Sequence, residues 1–418
     1  MTTLPDAAAA SPVTYRARRI LPLDGPPQDD GHLVVVHGRI AAVGPARVAE
    51  GRVFDLGAVT VLPGLVNAHC HLEFSLLTKP LGTRGMPFTD WLSEVIAYRR
   101  EGDFEPESAV VAGLQESLAA GVTTIGEITT AAPRQLFDRP PRHGPLVTAF
   151  VELIGLTPSR VEPQLARLAE FLRNDEQPTV RRGISPHAPY TVNPQLLAAA
   201  AGCSKREQIP LAFHLAESQA ELELLRDGAG PFVDLLAKVG AWDPSMIARG
   251  TRPLDYLQSL QSAHRALVIH GNYLADEEIA YLAEHRERLT TVYCPRTHAY
   301  FGHSQHPLER LLAAGAGVAV GTDGRCTNPD LDLRAELRLI AQSYPNLAPE
   351  RIVRLGTVDG ARALGLEREV GTLTVGKRAD FVAMRTQADD DPYAALLATS
   401  ATVCRTVVAG HTAIELDD

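Results

Sequence analysis

Residues Val61–Phe74 read VLPGLVNAHCHLEF, and the interpretation of this stretch decides the fold. Its first half is apolar and punctuated by Pro63 and Gly64, the texture of a short buried strand. Its end carries His69 and His71, one residue apart. Side chains alternate along an extended chain, so positions i and i+2 project to the same side. Both imidazoles then face one point just past the strand, which is how one strand supplies two ligands to one metal ion. Cys70, between them, points the other way, into packing. An isolated His-x-His is more often two polar residues at a strand exit, so the metal reading depends on what the rest of the chain brings.

Outward from this stretch, short apolar runs alternate with helical patterns. Asp90–Arg100 and Pro106–Ala120 read as helices, the second ending at Gly121. VTTIGEI, VTAFVEL, RRGISPHAP, LAFHLAE, ALVIHGN, LTTVYCP and GVAVGTDG follow as strands. Between and after them lie helical segments near 162–173, 195–201, 276–285, 308–314 and 332–364. About eight buried strands, each followed by helix, predict an α/β fold, a (β/α)8 TIM barrel over residues 61–365. A doubly wound open sheet is the alternative, disfavoured because no Gly-x-Gly-x-x-Gly turn follows any strand.

The flanks differ in texture. LVVV and RIAAV, separated by His37-Gly38, suggest a hairpin, and short β-rich runs with glycine turns return in GTLTVGKRADFVAM and CRTVVAGHTAIE. Residues 12–60 and 366–418 are therefore expected to meet as one small β-sandwich domain, with residues 1–11 a small-residue flexible tail.

The 418 residues are 45% hydrophobic and 22% charged, ordinary for a globular protein, and the formal net charge of −10 argues against a nucleic-acid surface. The N-terminus has no signal-peptide pattern and no apolar run is long enough to span a bilayer. Five cysteines without CxxC spacing read as thiols in a reducing compartment, so a cytoplasmic protein with no membrane partner is expected.

In a (β/α)8 barrel the strand ends build the active site. Those ends hold His69, His71, His187, His214 with Glu217, His270, and Asp323. Any one of these histidines alone could be structural; five of 14 gathered at strand exits point to a metal centre. His69, His71, His214 and Asp323 give three nitrogens and a carboxylate, a set that suits one divalent ion, zinc first and Fe2+ or Mn2+ as alternatives. Water at such a centre has its pKa brought down to about 7. Glu217, three residues past His214, is placed to take that water's proton and pass it to a leaving nitrogen. The competing role for Glu217 is to support the ligands or to open the next helix.

PGLVNAHCHLE, SPHAPY, HLAE, HGN and GTDG, with the stretch Gly371–Asp380 (GTLTVGKRAD), together resemble the amidohydrolase superfamily. Within it they are most similar to the branch of adenosylhomocysteine/methylthioadenosine deaminases and chlorohydrolases. The resemblance runs over nearly the whole chain. It implies a barrel with a composite β-sandwich, one divalent metal, usually zinc, on His69, His71, His214 and Asp323, and a homodimer as the expected assembly. It further implies Glu217 as proton shuttle, His187 and His270 against the substrate ring or the attacking water, and a second proton-handling role for Asp323. Dinuclear members carry a lysine at the end of strand 4; RRGISPHAP has none, which implies a single metal. The implied reaction is hydrolytic deamination of an aromatic amidine with release of ammonia.

The loops should set specificity. TRGMPFTDWL carries Arg84, Phe88 and Trp91; CPRTHAYFGHSQH carries Arg296, Tyr300 and Phe301; Arg325 follows Asp323 closely. Three arginines at the mouth of an acidic protein suggest an anionic substrate, because guanidinium forks match carboxylates and phosphates. Salt bridges such as Arg84–Asp90 and Arg325 with Asp330 or Asp332 are the competing use. The CPRTH and RGMPFTDWL segments resemble deaminases acting on 6-aminodeoxyfutalosine, an adenine nucleoside with an aryl carboxylate on the futalosine route to menaquinone. That compound is the expected substrate. Adenosylhomocysteine, methylthioadenosine or another amino-heterocycle, a chlorohydrolase reaction, and a non-catalytic metal-stabilised binding protein are the alternatives.

Overall fold

The structure is a computed structural model that describes residues 11–100, 104–130, 143–173, 179–387 and 391–416. Except for Ser11, the expected tail lies outside the described residues.

Eight parallel strands form the barrel in sequence order: β6 (Leu65–Cys70), β7 (Val122–Thr129), β8 (Leu146–Leu153), β9 (Val180–Pro186), β10 (Leu211–Leu215), β11 (Ala266–His270), β12 (Leu289–Tyr293) and β13 (Gly317–Val320). VTTIGEIT and LVTAFVEL are buried at every position, as expected for parallel strands covered on both faces. The last strand returns to the first through a parallel bridge between Cys70 and Asp323, and the Asp323 N–H donates to the His69 carbonyl at 3.0 Å. The seam that closes the barrel thus runs between two of the predicted metal ligands, His69 and Asp323.

The two ends of the chain share a second eight-stranded sheet, in the order β16 (His411–Glu415), β15 (Thr402–Val408), β14 (Phe381–Arg385), β5 (Val59–Pro63), β1 (Val13–Ile20), β2 (Gln28–Val36), β3 (Arg39–Gly44), with β4 (Arg52–Asp55) beside β1. β2 and β3 are the expected hairpin, turning at His37 and Gly38, and β15 and β16 turn at Ala409 and Gly410. The two hairpin tips touch: a Cβ on Gly38 would sit 2.7 Å from the Ala409 carbonyl oxygen. Tyr15, Ile20, Leu33, Ile40, Val61, Phe381 and Val407 fill this sheet's own core.

One expectation is corrected. The opening strand is two strands in two sheets: β5 pairs antiparallel with β14, and only after Gly64 does β6 enter the barrel. Gly64 has no room for a side chain, since a Cβ there would lie 2.1 Å from Thr123 Oγ1. No helix among the described residues is long and apolar enough to cross a membrane.

Candidate active site

His69 is the second-last residue of β6, a strand buried at every position, His71 follows the strand, His214 lies on β10 and Asp323 just after β13. The topology brings all four together. Asp323 Oδ1 lies 3.6 Å from His69 Nε2 and 3.7 Å from His71 Nε2. These gaps are too long for hydrogen bonds, yet close to the roughly 3.4 Å between two ligands each about 2.1 Å from a tetrahedral ion. Both ring nitrogens of His69 and Nδ1 of His71 are buried without a hydrogen-bond partner. Unsatisfied buried nitrogens around a carboxylate are what a cation site looks like from the protein side. The donor set therefore fits a divalent metal.

His214 has its tautomer fixed. Its Nδ1 donates to the His187 carbonyl at 3.1 Å, which leaves Nε2 with a lone pair for a ligand. His270 also approaches His69 and His214, but its Nε2 is 3.2 Å from Glu217 Oε1 and so has another partner. Burial pushes the imidazoles of His71 and His214 well down, and those of His187 and His270 to about 3. They are held neutral, the form that ligates and accepts protons. Burial works to raise the Asp323 carboxyl, but His69, His270 and His71 outweigh it and hold it below the usual carboxylate range. Glu217 goes the opposite way: burial, then the charges of Asp323 and Glu221, push it well above that range. Two carboxyl groups in one site with pKa values driven apart is the pattern of an anion holder beside a proton carrier.

The backbone here is strained and braced. Ala216, His270 and Asp323 have φ of 54°, 69° and 57°, each costing about 1–3 kcal/mol in the left-handed region. Each has a brace nearby. Glu221 accepts from the N–H groups of Ala216 and Glu217 at 2.8 and 2.9 Å. The His306 Nε2 donates to the His270 carbonyl at 3.0 Å. Asn67 Oδ1 accepts from Thr322 N–H at 3.0 Å, and Asn328 Nδ2 donates to the Thr322 carbonyl at 2.6 Å. Asn272 Nδ2 donates to the Glu217 carbonyl at 2.9 Å.

The cluster forms the floor of a cavity of about 370 Å³, within the range of small-molecule sites. Phe88 and Trp91 line it as expected, their rings stacked at 5.6 Å with Phe301 packed against both. His187 lines it too, its Nδ1 2.7 Å from Thr191 Oγ1. Arg84, Arg296 and Arg325 are not among the described residues that line this cavity. Arg296 is held by Glu336 at 2.6 Å and Asp330 at 2.7 Å. Arg325 ties the Leu77 carbonyl to Glu116, each at 2.8 Å, and Arg84 is exposed with one Nη on the Ala299 carbonyl. All three fasten neighbouring loops and helices. Arg99, Arg100 and Arg160 line the cavity instead, with Glu152 and Tyr190. Sequence reading passed over Arg99 and Arg100 because paired arginines in a last helical turn are ordinary dipole partners. Glu152 carried a clearer sign, a charge at the end of the strand VTAFVEL.

Residues 60–413 match the model of the amidohydrolase family. A 5-methylthioadenosine/S-adenosylhomocysteine deaminase of Moorella thermoacetica is 32% identical over 389 residues, covering 87% of this chain and 83% of that protein. An aminodeoxyfutalosine deaminase of Deinococcus radiodurans is 30% identical over 361 residues, covering 82% and 83%. The crystal structure of Helicobacter pylori aminofutalosine deaminase in complex with methylthio-coformycin superposes with a TM-score of 0.83 at 22% identity, over 96% of this chain and 100% of that one, a likeness of fold. With a family match that spans the barrel and the C-terminal strands of the second sheet, and with deaminases among its relatives, this chain belongs to the amidohydrolase family of metal-dependent hydrolytic enzymes.

Proposed function

We propose that the protein is a hydrolytic deaminase of an adenine-containing nucleoside, and that its substrate is 6-aminodeoxyfutalosine. The observation that carries the reading is the cavity itself. Histidines whose charged form burial disfavours, Glu217 with its carboxyl pushed up and Asp323 with its carboxyl held down lie at its floor, and arginines line its wall. His69, His71, His214 and Asp323 would hold one divalent ion, zinc by the chemistry of the donors. When bound, the ion supplies an activated water at neutral pH. Glu217, raised by burial, holds a proton for the departing amino nitrogen or the adjacent ring nitrogen. His270, 3.2 Å from it, fixes the orientation of that carboxyl and faces the same ring. Over the cycle the water oxygen stays on the ring carbon, one water proton ends on the ring nitrogen and the other on the amino group, and the C–N bond breaks to release ammonia, with Glu217 carrying the proton between them.

The finer substrate assignment draws on the wall. Phe74, Phe88 and Trp91 give aromatic surface, while Arg100 and Arg160 have no ion-pair partner among the described residues and can meet a distal carboxylate. A nucleoside with an aryl carboxylate satisfies both, and would place the enzyme on the futalosine route to menaquinone. A second reading, methylthioadenosine or adenosylhomocysteine as substrate, is favoured by the Moorella relative. Ammonia release from 6-aminodeoxyfutalosine, adenosylhomocysteine, methylthioadenosine and adenosine separates them. The highest kcat/KM is expected on the first, and a higher value on any of the others overturns the assignment.

A further inference from the structure

One buried group on the cavity wall has no task in the scheme above. Glu152 stands at the end of β8, is 2% exposed and lines the cavity. It accepts no hydrogen bond among the described residues; its Oε2 is buried and bare, and the nearest guanidinium nitrogen, Nη1 of Arg99, is 4.0 Å away. Arg99 is committed elsewhere: its Nη2 donates to Glu73 and its guanidinium lies over the Phe74 ring at 5.2 Å. The Thr130 hydroxyl donates to the other Glu73 oxygen, and Arg167 anchors the Thr130 carbonyl at 2.6 Å. The nearest cations are thus engaged by Glu73 and by the Thr130 carbonyl.

A carboxylate oxygen buried without a donor is costly unless a ligand supplies one. The charge balance says which kind. Glu73 and Glu152 face Arg99 and Arg167, two negative groups against two positive, so charge is balanced, and what Glu152 Oε2 lacks is a donor within hydrogen-bond distance; the Arg99 Nε, also buried and bare among the described residues, does not reach it. Burial pushes the Glu152 carboxyl up, and Arg99 and Arg167 pull it back. Position says where along the ligand. From Glu152 the chain runs outward past Gly155 and Thr157 to Arg160, all lining the cavity, so Glu152 sits on the wall between the histidine floor and the arginine rim. A nucleoside with its base on the floor and an acid at the rim places its sugar there.

We propose that Glu152 is the sugar-recognition residue of the site, its bare carboxylate oxygen accepting a hydrogen bond from the vicinal hydroxyls of the ribose. The inference rests on the nucleoside reading. The test compares kcat/KM for ammonia release from adenosine and its 2′-deoxy, 3′-deoxy and 2′,3′-dideoxy forms, in wild type and Glu152→Gln. Wild type should lose about 10- to 100-fold when both hydroxyls are removed, mostly in KM, as a hydrogen bond to a charged acceptor predicts. In Glu152→Gln, where the acceptor is neutral and roughly half as strong, that ratio should shrink to a few-fold. Equal ratios in the two proteins, or a wild type indifferent to the hydroxyls, overturn the proposal. Should Glu152→Gln fail to fold, the wild-type series still decides on hydroxyl dependence, and Glu152→Asp, which keeps the charge and withdraws the oxygen, serves as the second variant. If wild type releases ammonia from no adenine nucleoside, it is the nucleoside reading that falls, and this inference falls with it.

Discussion

At the scale of single residues, charge in this protein does opposite work depending on what surrounds it. Glu217 and Glu336 are both buried, and burial raises both carboxyls, Glu336 to about 7 despite Arg296. Glu217 has a histidine and an open cavity before it; Glu336 has the Nε and the backbone N–H of Arg296, whose two Nη groups go to Asp330. Substituting Glu217→Gln should lower kcat by about 10²–10⁴ while leaving bound metal, measured by atomic emission, at the wild-type ratio. Removing Arg296 should act on stability: Arg296→Ala leaves Glu336 buried and unpaired, with an expected loss of about 3–5 kcal/mol in urea unfolding. Arg160→Ala, at the rim, should leave the unfolding midpoint in place and raise KM for an anionic substrate by about tenfold. If Arg296→Ala unfolds like wild type and instead raises KM, Arg296 has been misplaced. These arginines also show why the aromatic part of the cavity wall was legible in the sequence and its charged part was not. His69, His71, His214 and Asp323 announce themselves because their chemistry is rare at strand ends. An arginine in a loop reads alike whether it meets a substrate or a glutamate forty residues away.

At the scale of elements, the seam between β6 and β13 couples the barrel's closure to its chemistry. Gly321 packs against His69, and a Cβ there would come within 2.6 Å of the His69 carbonyl oxygen. Gly321→Ala must push His69 off its position or open the seam. The expected result is a purified protein with wild-type far-ultraviolet circular dichroism but substoichiometric zinc; full metal content would show that the seam yields elsewhere. Periodicity made the eight barrel strands legible, since doubly buried parallel strands are apolar throughout. It could not divide Val61–Cys70, because β5 and β6 are buried alike and differ only in which sheet they join. Gly64, the one position without space for a side chain, marks the change.

At the scale of the whole molecule, the terminal sheet is a clamp made from both ends. β14 lies between β5 and β15, so deleting residues 366–418 strips the partner from β5 and bares the core around Val61 and Tyr15. An unpaired β-branched edge invites association. The truncated chain should aggregate on expression, and a soluble, zinc-loaded product would show that the barrel stands without its clamp. That both ends meet was legible from their shared β texture; how the strands interleave was not, because β1 pairing with β4 and β5 leaves no periodic trace.

The pairing of β5 with β14 also sets a timetable. Val61 waits for Ala383, about 300 residues downstream, which at roughly 5–20 residues per second means some 15–60 s of synthesis. Throughout that interval the strand leading into His69 hangs from an unfinished sheet. Assembly of the metal floor is thus tied to a strand that leaves the ribosome long after it, so a copy that stops short of β14 has no settled first strand on which to hold an ion.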